Sequence, residues 1–538
     1  MLNLELPTIK DKGSFFLSFR SFSLNRILRQ RAPTLSIGFG DLSFKINQKL
    51  NNNNRLYFTF HVNSDQLLDT SGNNELGNVG LRWGNFVSTL RWNHLYGPRL
   101  FSNLTLYTGT YGYRLFGGSN FWKTGLATLS LKNDFTFYQS DKSTSKFGFE
   151  LQGYFIDPGS AALDASIGVL PEINSNLTAK SLLYYQNEFR LNKKMKLNAG
   201  LRLVNWRING PATYYNFDDN YEVSDTLFAE ARESYASYTK LDPRITLNYS
   251  LSENEWIVFG VGRYHQFLQQ ISNSDSPFNA LEVWFPAGPN LRPQASNQIS
   301  IDYTRLMKNN AWEFNSALYY KSYNNQIDYV PHADLLVNPL LEGELRIGRM
   351  NSYGLESTLQ KKFGKLKGKV SYTFSRSIRK TPGLNQGKSY RAFQDRPHGL
   401  IINLNYDVSK RFQMSAFWIS MSGSTFSSPT GFYQFQGIQT PIYNSKNNDR
   451  LPAYHRLDLA LNYRFNKDFK KKYQHSIKFS IYNVLARDNA FRINFNKLEE
   501  VGSENPLVIT NLFDQQLISP SQMDLFRFFP SLSYKFSL

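Results

Sequence analysis

The sequence predicts an all-β fold, a transmembrane antiparallel β-barrel of about 22 strands with short periplasmic turns and long extracellular loops. Three observations predict it. Long stretches of strict two-residue alternation recur along the 538 residues. The spacers between them alternate between tight turns and long polar segments. The chain ends on PSLSYKFSL, where Leu532, Tyr534, Phe536 and Leu538 alternate with Ser531, Ser533, Lys535 and Ser537. A period of two puts one side-chain type on each face of a strand. A terminal amphipathic strand is a sticky edge in a soluble domain, whereas in a barrel it closes the wall and shows its aromatics to lipid.

The strands justify themselves in chain order. FVSTLRWNH places Phe86, Leu90 and Trp92 on one face, and WEFNSALYY does the same with Trp312, Phe314, Leu318 and Tyr320. KLKGKVSYTFSRSIRK sets Leu366, Val370, Tyr372, Phe374 and Ile378 against Lys365, Lys367, Lys369, Ser371, Thr373 and Arg379. HGLIINLNYDV sets Leu400, Ile402, Leu404, Tyr406 and Val408 against Asn403, Asn405 and Asp407. HRLDLALNYRF sets Leu457, Leu459, Leu461, Tyr463 and Phe465 against Arg456, Asp458, Asn462 and Arg464. Strands of a soluble sandwich average five to six residues and bury their apolar face. Many of these run to about ten or more, as a tilted membrane span requires, and charges at this density do not fill a dry core. The apolar face is therefore the lipid face.

The spacers give the ends their identity. SLSENEW (250–256), KKFGKLKG (361–368), YDVSKRFQ (406–413) and FRLNKKMKL (189–197) read as tight polar turns. Residues 212–237, 271–293, 331–347, 381–395, 427–453 and 499–526 read as long loops. Short periplasmic turns and long outer loops are the asymmetry of bacterial outer-membrane barrels.

Composition agrees. Aromatics make up 15% of the chain, with 32 Tyr and 43 Phe, and there is no Cys. Strands favour aromatic residues and barrels add aromatic girdles. Mean hydropathy is −0.44, and no stretch approaches the 18 or so apolar residues of a membrane helix. The net charge of +19 is spread along the chain and accompanies no nucleic-acid module, so nucleic acid is not expected as a partner; a basic lumen, or loops facing anionic lipopolysaccharide, accounts for it. MLNLELPTIKDKGSFFLSF lacks the charged, apolar and small-residue regions of a signal peptide. An exported protein needs one, so the expectation is a mature form that starts upstream, or a fragment.

Several segments resemble the barrel of TonB-dependent outer-membrane receptors of the Bacteroidetes type. LPAYHRLDLALNYRF (451–465) is similar to the strand near the end of that family, and IKFSIYNVLARDNAF (477–491), with Asn483 and Asn489, to its next strand. SYGLESTLQKKFGKLKGKVSYTFSRS (352–377) resembles its central hairpin. FQDRPHGLIINLNY carries the Asp-x-x-His that opens the following strand, with Pro397 where a polar residue is commoner. DPRITLNYSL (242–251) and VWFPAGPNLRPQASNQISIDY (283–303) match as well. The resemblance covers essentially the whole chain, so residues 1–538 are expected to be barrel alone. It also implies parts not seen here: a plug inside the barrel, a segment gripped by TonB and a signal peptide. LELPTIKDKGSFFLSFRSF already looks like a first barrel hairpin, which makes this chain a plug-less barrel by that comparison.

No catalytic constellation emerges, and an enzyme is not expected. The seven His are scattered, so neither a metal site nor a cofactor is expected. Ser422-Gly423-Ser424 lacks the strand–turn–helix context of a nucleophile elbow, and Asp395, Arg396 and His398 read as a strand-opening polar cluster. Candidate ligand-binding residues are the loop aromatics Trp284 and Phe285, and Phe432, Tyr433 and Phe435, since flat rings suit sugars, aromatic chelators and peptides. Their commoner fate is self-packing of long loops or an upper girdle. Lys367, Lys369, Arg456, Asp458 and Arg464 are expected in the lumen, where the cations steer anions or, more commonly, pair with lumenal acids or with a plug. Leu532, Tyr534, Phe536 and Leu538 are expected to govern assembly.

What the resemblance implies is the barrel of a TonB-dependent importer of a scarce nutrient (siderophore, cofactor, glycan or peptide) in the Gram-negative outer membrane. The alternatives are a plug-less passive channel or structural outer-membrane protein, and a soluble β-rich binding protein. The expected partners are outer-membrane lipid, the barrel-assembly machinery and, by the same resemblance, a separately encoded plug, a TonB-type energy coupler or a surface lipoprotein.

Overall fold

A computed structural model describes residues 2–9, 12–23, 25, 35–69, 79–118, 120–162, 173–272, 282–335, 338–435, 438–466, 473–497, 518–524 and 527–537. Among them the only 3₁₀ turns are Leu341–Glu344 and Asn385–Gly387, and no helix is long and apolar enough to cross a membrane. Most of the other described backbone is strand, the larger part of it in one sheet of 22 segments in which every paired neighbour is antiparallel.

The alternation seen in the sequence is the alternation of the wall. Leu90, Trp92, Leu129, Leu183, Leu201, Leu318, Val370, Leu459 and Leu461 are exposed on the outer face. Their sequence neighbours turn into the lumen, where Lys367 pairs with Asp407 at 2.7 Å and Arg456 with Asp458 at 3.1 Å. The turns at one end close with local chemistry. Asn192 Oδ1 accepts the backbone N–H groups of Lys194 (2.8 Å) and Met195 (2.9 Å), and Ser409 Oγ accepts that of Phe412 at 3.1 Å. Such side chains mimic a backbone turn. Gly364, at φ +96°, supplies the left-handed position in the turn after Lys361.

At the other end the loops carry small hairpins of their own. These are Ala212–Phe217 with Val223–Ala229, Leu268–Ser272 with Glu282–Pro286, Thr425–Phe426 with Asp449–Arg450, Gly431–Phe435 with Ile438–Ile442, and Ala490–Lys497 with Ile518–Asp524.

Closure departs from the simple expectation. The two-residue strand Tyr390–Arg391 pairs with Arg379 and Ile378, and His398–Asp407 continues down the same side of the same neighbour. The two therefore occupy one column, which leaves 21 columns side by side. With every pair antiparallel, an odd number makes the first and last columns run the same way. Leu2–Ile9 runs into the short turn before Gly13, and Ser537 lies opposite Gln474 at that same end. The terminal strand Phe529–Ser537 pairs with Gln474–Tyr482, and among the described residues it does not pair with Leu2–Ile9.

Candidate functional site: the loop vestibule

The inner wall is not polar throughout. Near the loop end, Leu81, Tyr113 and Trp122 turn inward from three adjacent strands, and Val204, Trp206 and Ile208 turn inward from Met195–Asn209. Apolar groups facing a watery lumen need cover, and the loops provide it. The hairpin Leu268–Ser272/Glu282–Pro286, which links Glu255–Gln266 to Gln294–Met307, folds inward along the wall. Its wholly buried Val283 joins Leu81, Tyr113 and Trp122, and Leu341 of the 3₁₀ turn joins the same cluster.

The base of the hairpin is fixed separately. The indole N–H of Trp206 donates to the carbonyl of Ala287 at 3.0 Å, and its ring stacks on Phe267 at 5.6 Å. The Tyr238 hydroxyl donates to the Gly288 carbonyl at 2.8 Å. Ile271 and Leu291 pack with Leu345 on the far side. The described part of this long loop thus has three anchors on the inner wall.

Polar clasps tie together three further loop segments, those that hold Asp328, Asp395 and Lys446. Asp328 accepts from the Tyr390 hydroxyl (2.7 Å), from Arg379 Nη1 (3.1 Å) and from Lys446 Nζ. Asp395, completely buried, accepts the backbone N–H of Ser377 at 2.7 Å and pairs with Arg450, which also donates to the Asp395 carbonyl. Each carboxylate joins segments far apart in sequence, and Asp395 belongs to the Asp-x-x-His stretch noted in the sequence. Between the clasps a polar cavity of about 190 Å³ is lined by Gln269, Gln294, Asp328, Arg379, Lys446 and Asn447. Outside it lies a more apolar cleft of about 280 Å³ lined by Tyr329, Pro331, His332, Leu384, Pro441 and Tyr443. Glu342, part-buried beside the Asn290 amide, has its carboxyl pushed above the usual range because burial disfavours its charge; the hydrogen bond from Asn290 opposes this.

The aromatics singled out in the sequence separate here. Trp284 meets Tyr111 of the wall edge-on at 6.4 Å, and Phe285 packs against two of the apolar clusters. They are part of the anchor. Phe432 is buried and Tyr433 exposed on a different hairpin; Phe435 lies in that same strand, but its side chain falls outside the described residues. In the lumen Arg456 also donates to the hydroxyls of Tyr454 (3.0 Å) and Tyr482 (3.2 Å), while Lys369 and Arg464 are exposed. On the last strand Leu532, Tyr534 and Phe536 face outward, with Phe536 stacked on Tyr473; Leu538 lies outside the described residues.

Sequence reasoning missed Trp206, Val283 and Asp328. The signal for the first was present. In LRLVNWRI (201–208) apolar residues occupy both faces, which marks an inner wall that something must cover.

Among known proteins, the family described as TonB dependent receptor-like, beta-barrel matches residues 13–484. No curated protein sequence matches the chain. Solved structures do. The ferric-catecholate import receptor Fiu of E. coli K12 in its closed form superimposes with a TM-score of 0.64 at 13% identity, covering 99% of this chain and 79% of that one. The ferric preacinetobactin receptor BauA of Acinetobacter baumannii gives 0.65 at 10%, covering 99% and 77%. The copper transporter OprC gives 0.62 at 10%, covering 89% and 72%. At these identities the structures speak for the fold, and the family match covers most of the chain. The chain belongs to the TonB-dependent receptor β-barrel family, transporters rather than enzymes, and its place is the outer membrane of Gram-negative bacteria.

Proposed function

We propose that this barrel takes up a scarce nutrient (a siderophore, cofactor, glycan or peptide) captured at the loop vestibule and released inward by a plug that TonB pulls. The supporting observation is the pre-organised mouth: loops held by Trp206, Val283, Asp328 and Asp395 around a cleft whose walls are rings, prolines and a histidine. A rigid, mostly apolar concavity with a few polar groups is how proteins hold small ligands. Iron chelates and copper, named for the structural neighbours, head the list to be tried. The exposed Tyr433 and its neighbour Phe435 are the aromatics proposed to meet ligand, while Trp284, Phe285 and Phe432 serve the scaffold. Lys367, Lys369, Arg456, Asp458 and Arg464 form the polar lumen that a plug would contact, and Leu532, Tyr534, Phe536 and Leu538 the strand that the assembly machinery would handle. A surface lipoprotein is a further proposed partner.

The test is uptake by a deletion strain and its complemented parent of labelled ferric siderophores, copper, cobalamin, oligosaccharides and peptides, with and without a proton uncoupler. Gene-dependent, uncoupler-sensitive uptake of one class is expected. Uptake that ignores the uncoupler would point instead to a passive channel, and no gene-dependent uptake of any class would remove the reading.

A further inference from the structure

We propose that Arg82, Arg114 and Lys123 form a site on the outer wall for the phosphorylated headgroup of one outer-leaflet lipid, lipopolysaccharide. The inference concerns the lipid face and is independent of the nutrient reading. The three residues sit on adjacent strands, Val79–Leu95, Leu100–Gly117 and Asn120–Ser140, and the register sets Arg82 directly opposite Arg114, and Arg114 directly opposite Lys123. Their sequence neighbours Leu81, Tyr113 and Trp122 are buried on the inner side. Alternation therefore turns all three cations outward, and each is exposed. Like charges directly opposite in a sheet are destabilising. Among the described residues Arg82 reaches the Gln66 amide oxygen at 3.5 Å, Arg114 lies over the Phe121 ring at 4.1 Å, and none of the three cations has a carboxylate within ion-pair distance. Asp157, opposite Gly125, is taken up by the Gly159 N–H at 3.1 Å and the Ser160 hydroxyl at 3.2 Å. A line of three cations without a counter-charge calls for an anion.

Height on the wall says which anion. On the outward face of Val79–Leu95, Trp92 lies ten residues (82 to 92) nearer the short turn at 96–99. At about 3.4 Å per residue and the usual tilt, that is a rise of about 25 Å, the height of the apolar band of such barrels. Exposed Leu90, Leu106 and Leu129 fill the outer face between the two levels. The cations thus stand at the loop-side edge of the band, at the level of the outer-leaflet headgroups. Arg114 extends toward Phe121, which pairs with Phe116 one row further from the short turns, so its charged end leaves the hydrocarbon. Neighbouring Cβ atoms in such a row are about 5 Å apart, which lets two cations share one phosphate, the anion that guanidinium groups bind best. The row beneath is glycine on all three strands, Gly84, Gly112 and Gly125, again in register, and a side chain at Gly112 would meet nothing. The sugar that carries the phosphate can rest there against bare backbone, with its acyl chains along the leucines below.

The test compares three proteins expressed from their own gene in their own outer membrane and purified in mild detergent: the parent, the triple variant Arg82→Gln/Arg114→Gln/Lys123→Gln, and the control Lys142→Gln/Lys193→Gln/Lys194→Gln. The control loses the same charge from exposed short turns at the opposite end of the wall. Heat-modifiable gel mobility confirms folding, and native mass spectrometry counts the lipid retained. Parent and control should carry lipopolysaccharide, and the triple variant should be bare. In rebinding of lipopolysaccharide to stripped protein, the triple variant should be weaker by about 100-fold, the combined effect of three cations at an anionic surface. Lipopolysaccharide dephosphorylated with hydrofluoric acid should bind the parent as poorly as intact lipopolysaccharide binds the triple variant.

Equal retention and rebinding by the triple variant would overturn the proposal, as would a parent that neither carries nor rebinds lipopolysaccharide. Loss in the control as large as in the triple variant would reduce the effect to net charge. Equal binding of the dephosphorylated lipid would remove the phosphate from the argument, and this arm decides alone if the triple variant fails to fold. A parent that retains a glycerophospholipid at the row in place of lipopolysaccharide would overturn the choice of lipid.

Discussion

Of the three anchors of the vestibule hairpin, the apolar contact of Val283 is the one whose breaking has a directly calculable result. Val283 is completely buried against Leu81, Tyr113 and Trp122. Burying a valine side chain is worth about 1.5–3 kcal/mol. Val283→Asp forfeits that and places an unpaired carboxylate in an apolar site, for a total above about 4 kcal/mol. The wall is held by continuous ladders, whereas the hairpin is two strands of five residues, marginal by itself. The hairpin therefore lifts off Leu81 at this contact while its other anchors and the barrel stay in place. A reporter is at hand because the chain is free of cysteine: Leu81→Cys lies under Val283. At tenfold per 1.4 kcal/mol, maleimide labelling of Leu81→Cys should accelerate by about two to three orders of magnitude in the Val283→Asp background, until free labelling sets the ceiling. Val283→Ile should leave the rate within a few-fold. Unchanged labelling in Val283→Asp, with folded mobility intact, would refute the claim that this contact holds the hairpin.

Asp395→Ala strands Arg450 beside a buried site and should cost about 3 kcal/mol in urea-resistant folded mobility; Asp395→Ala with Arg450→Leu should recover part of it, and failure to do so would assign the loss to Ser377 instead. Trp206→Ala should cost about 3–5 kcal/mol, read as faster proteolysis in the 267–293 loop. Burial raises the Glu342 carboxyl above its unfolded value, so its protonated form favours the packed vestibule. That contribution is full below about pH 4 and is lost as pH rises through the elevated value. Labelling of Leu81→Cys, divided by the rate for the same protein unfolded at each pH to remove the thiol's own ionisation, should accordingly speed up with rising pH, and Glu342→Gln should flatten this ratio. Phe536→Asp should cost up to about 2 kcal/mol on the lipid face, whereas Lys535→Asp, turned to water, should be nearly silent in membrane yield.

Much of the wall was legible because it is written in a local code. A period of two fixes which side chains meet lipid, so Leu459 and Leu461 could be placed outside and Arg456 and Asp458 inside from spacing alone. The turns at 250–256, 361–368, 406–413 and 189–197 were legible because Asn, Ser and Gly close them within a few residues. The vestibule was not legible, because its decisive contacts join residues about 80 or more apart: Trp206 with Ala287, Lys446 with Asp328, Val283 with Leu81. For Trp284 and Phe285 self-packing was the commoner expectation, but the partner was not legible, because a loop's own sequence does not say which wall it will lie against. The direction of closure was also out of reach, since it depends on a strand count that changes when Tyr390–Arg391 and His398–Asp407 prove to share one column.

The self-closing turns have a consequence for how such a wall is built. Where Asn192 or Ser409 satisfies the backbone of its own turn, the register of the flanking pair is set before any third strand arrives. Each pair is then a unit with contacts only a few residues apart in sequence, and such contacts form fast. The long loops, whose anchors lie tens of residues away, order last. Synthesis would thus deliver to the membrane a series of preregistered hairpins, and an error in one would stay within it rather than shift the pairing of all that follow.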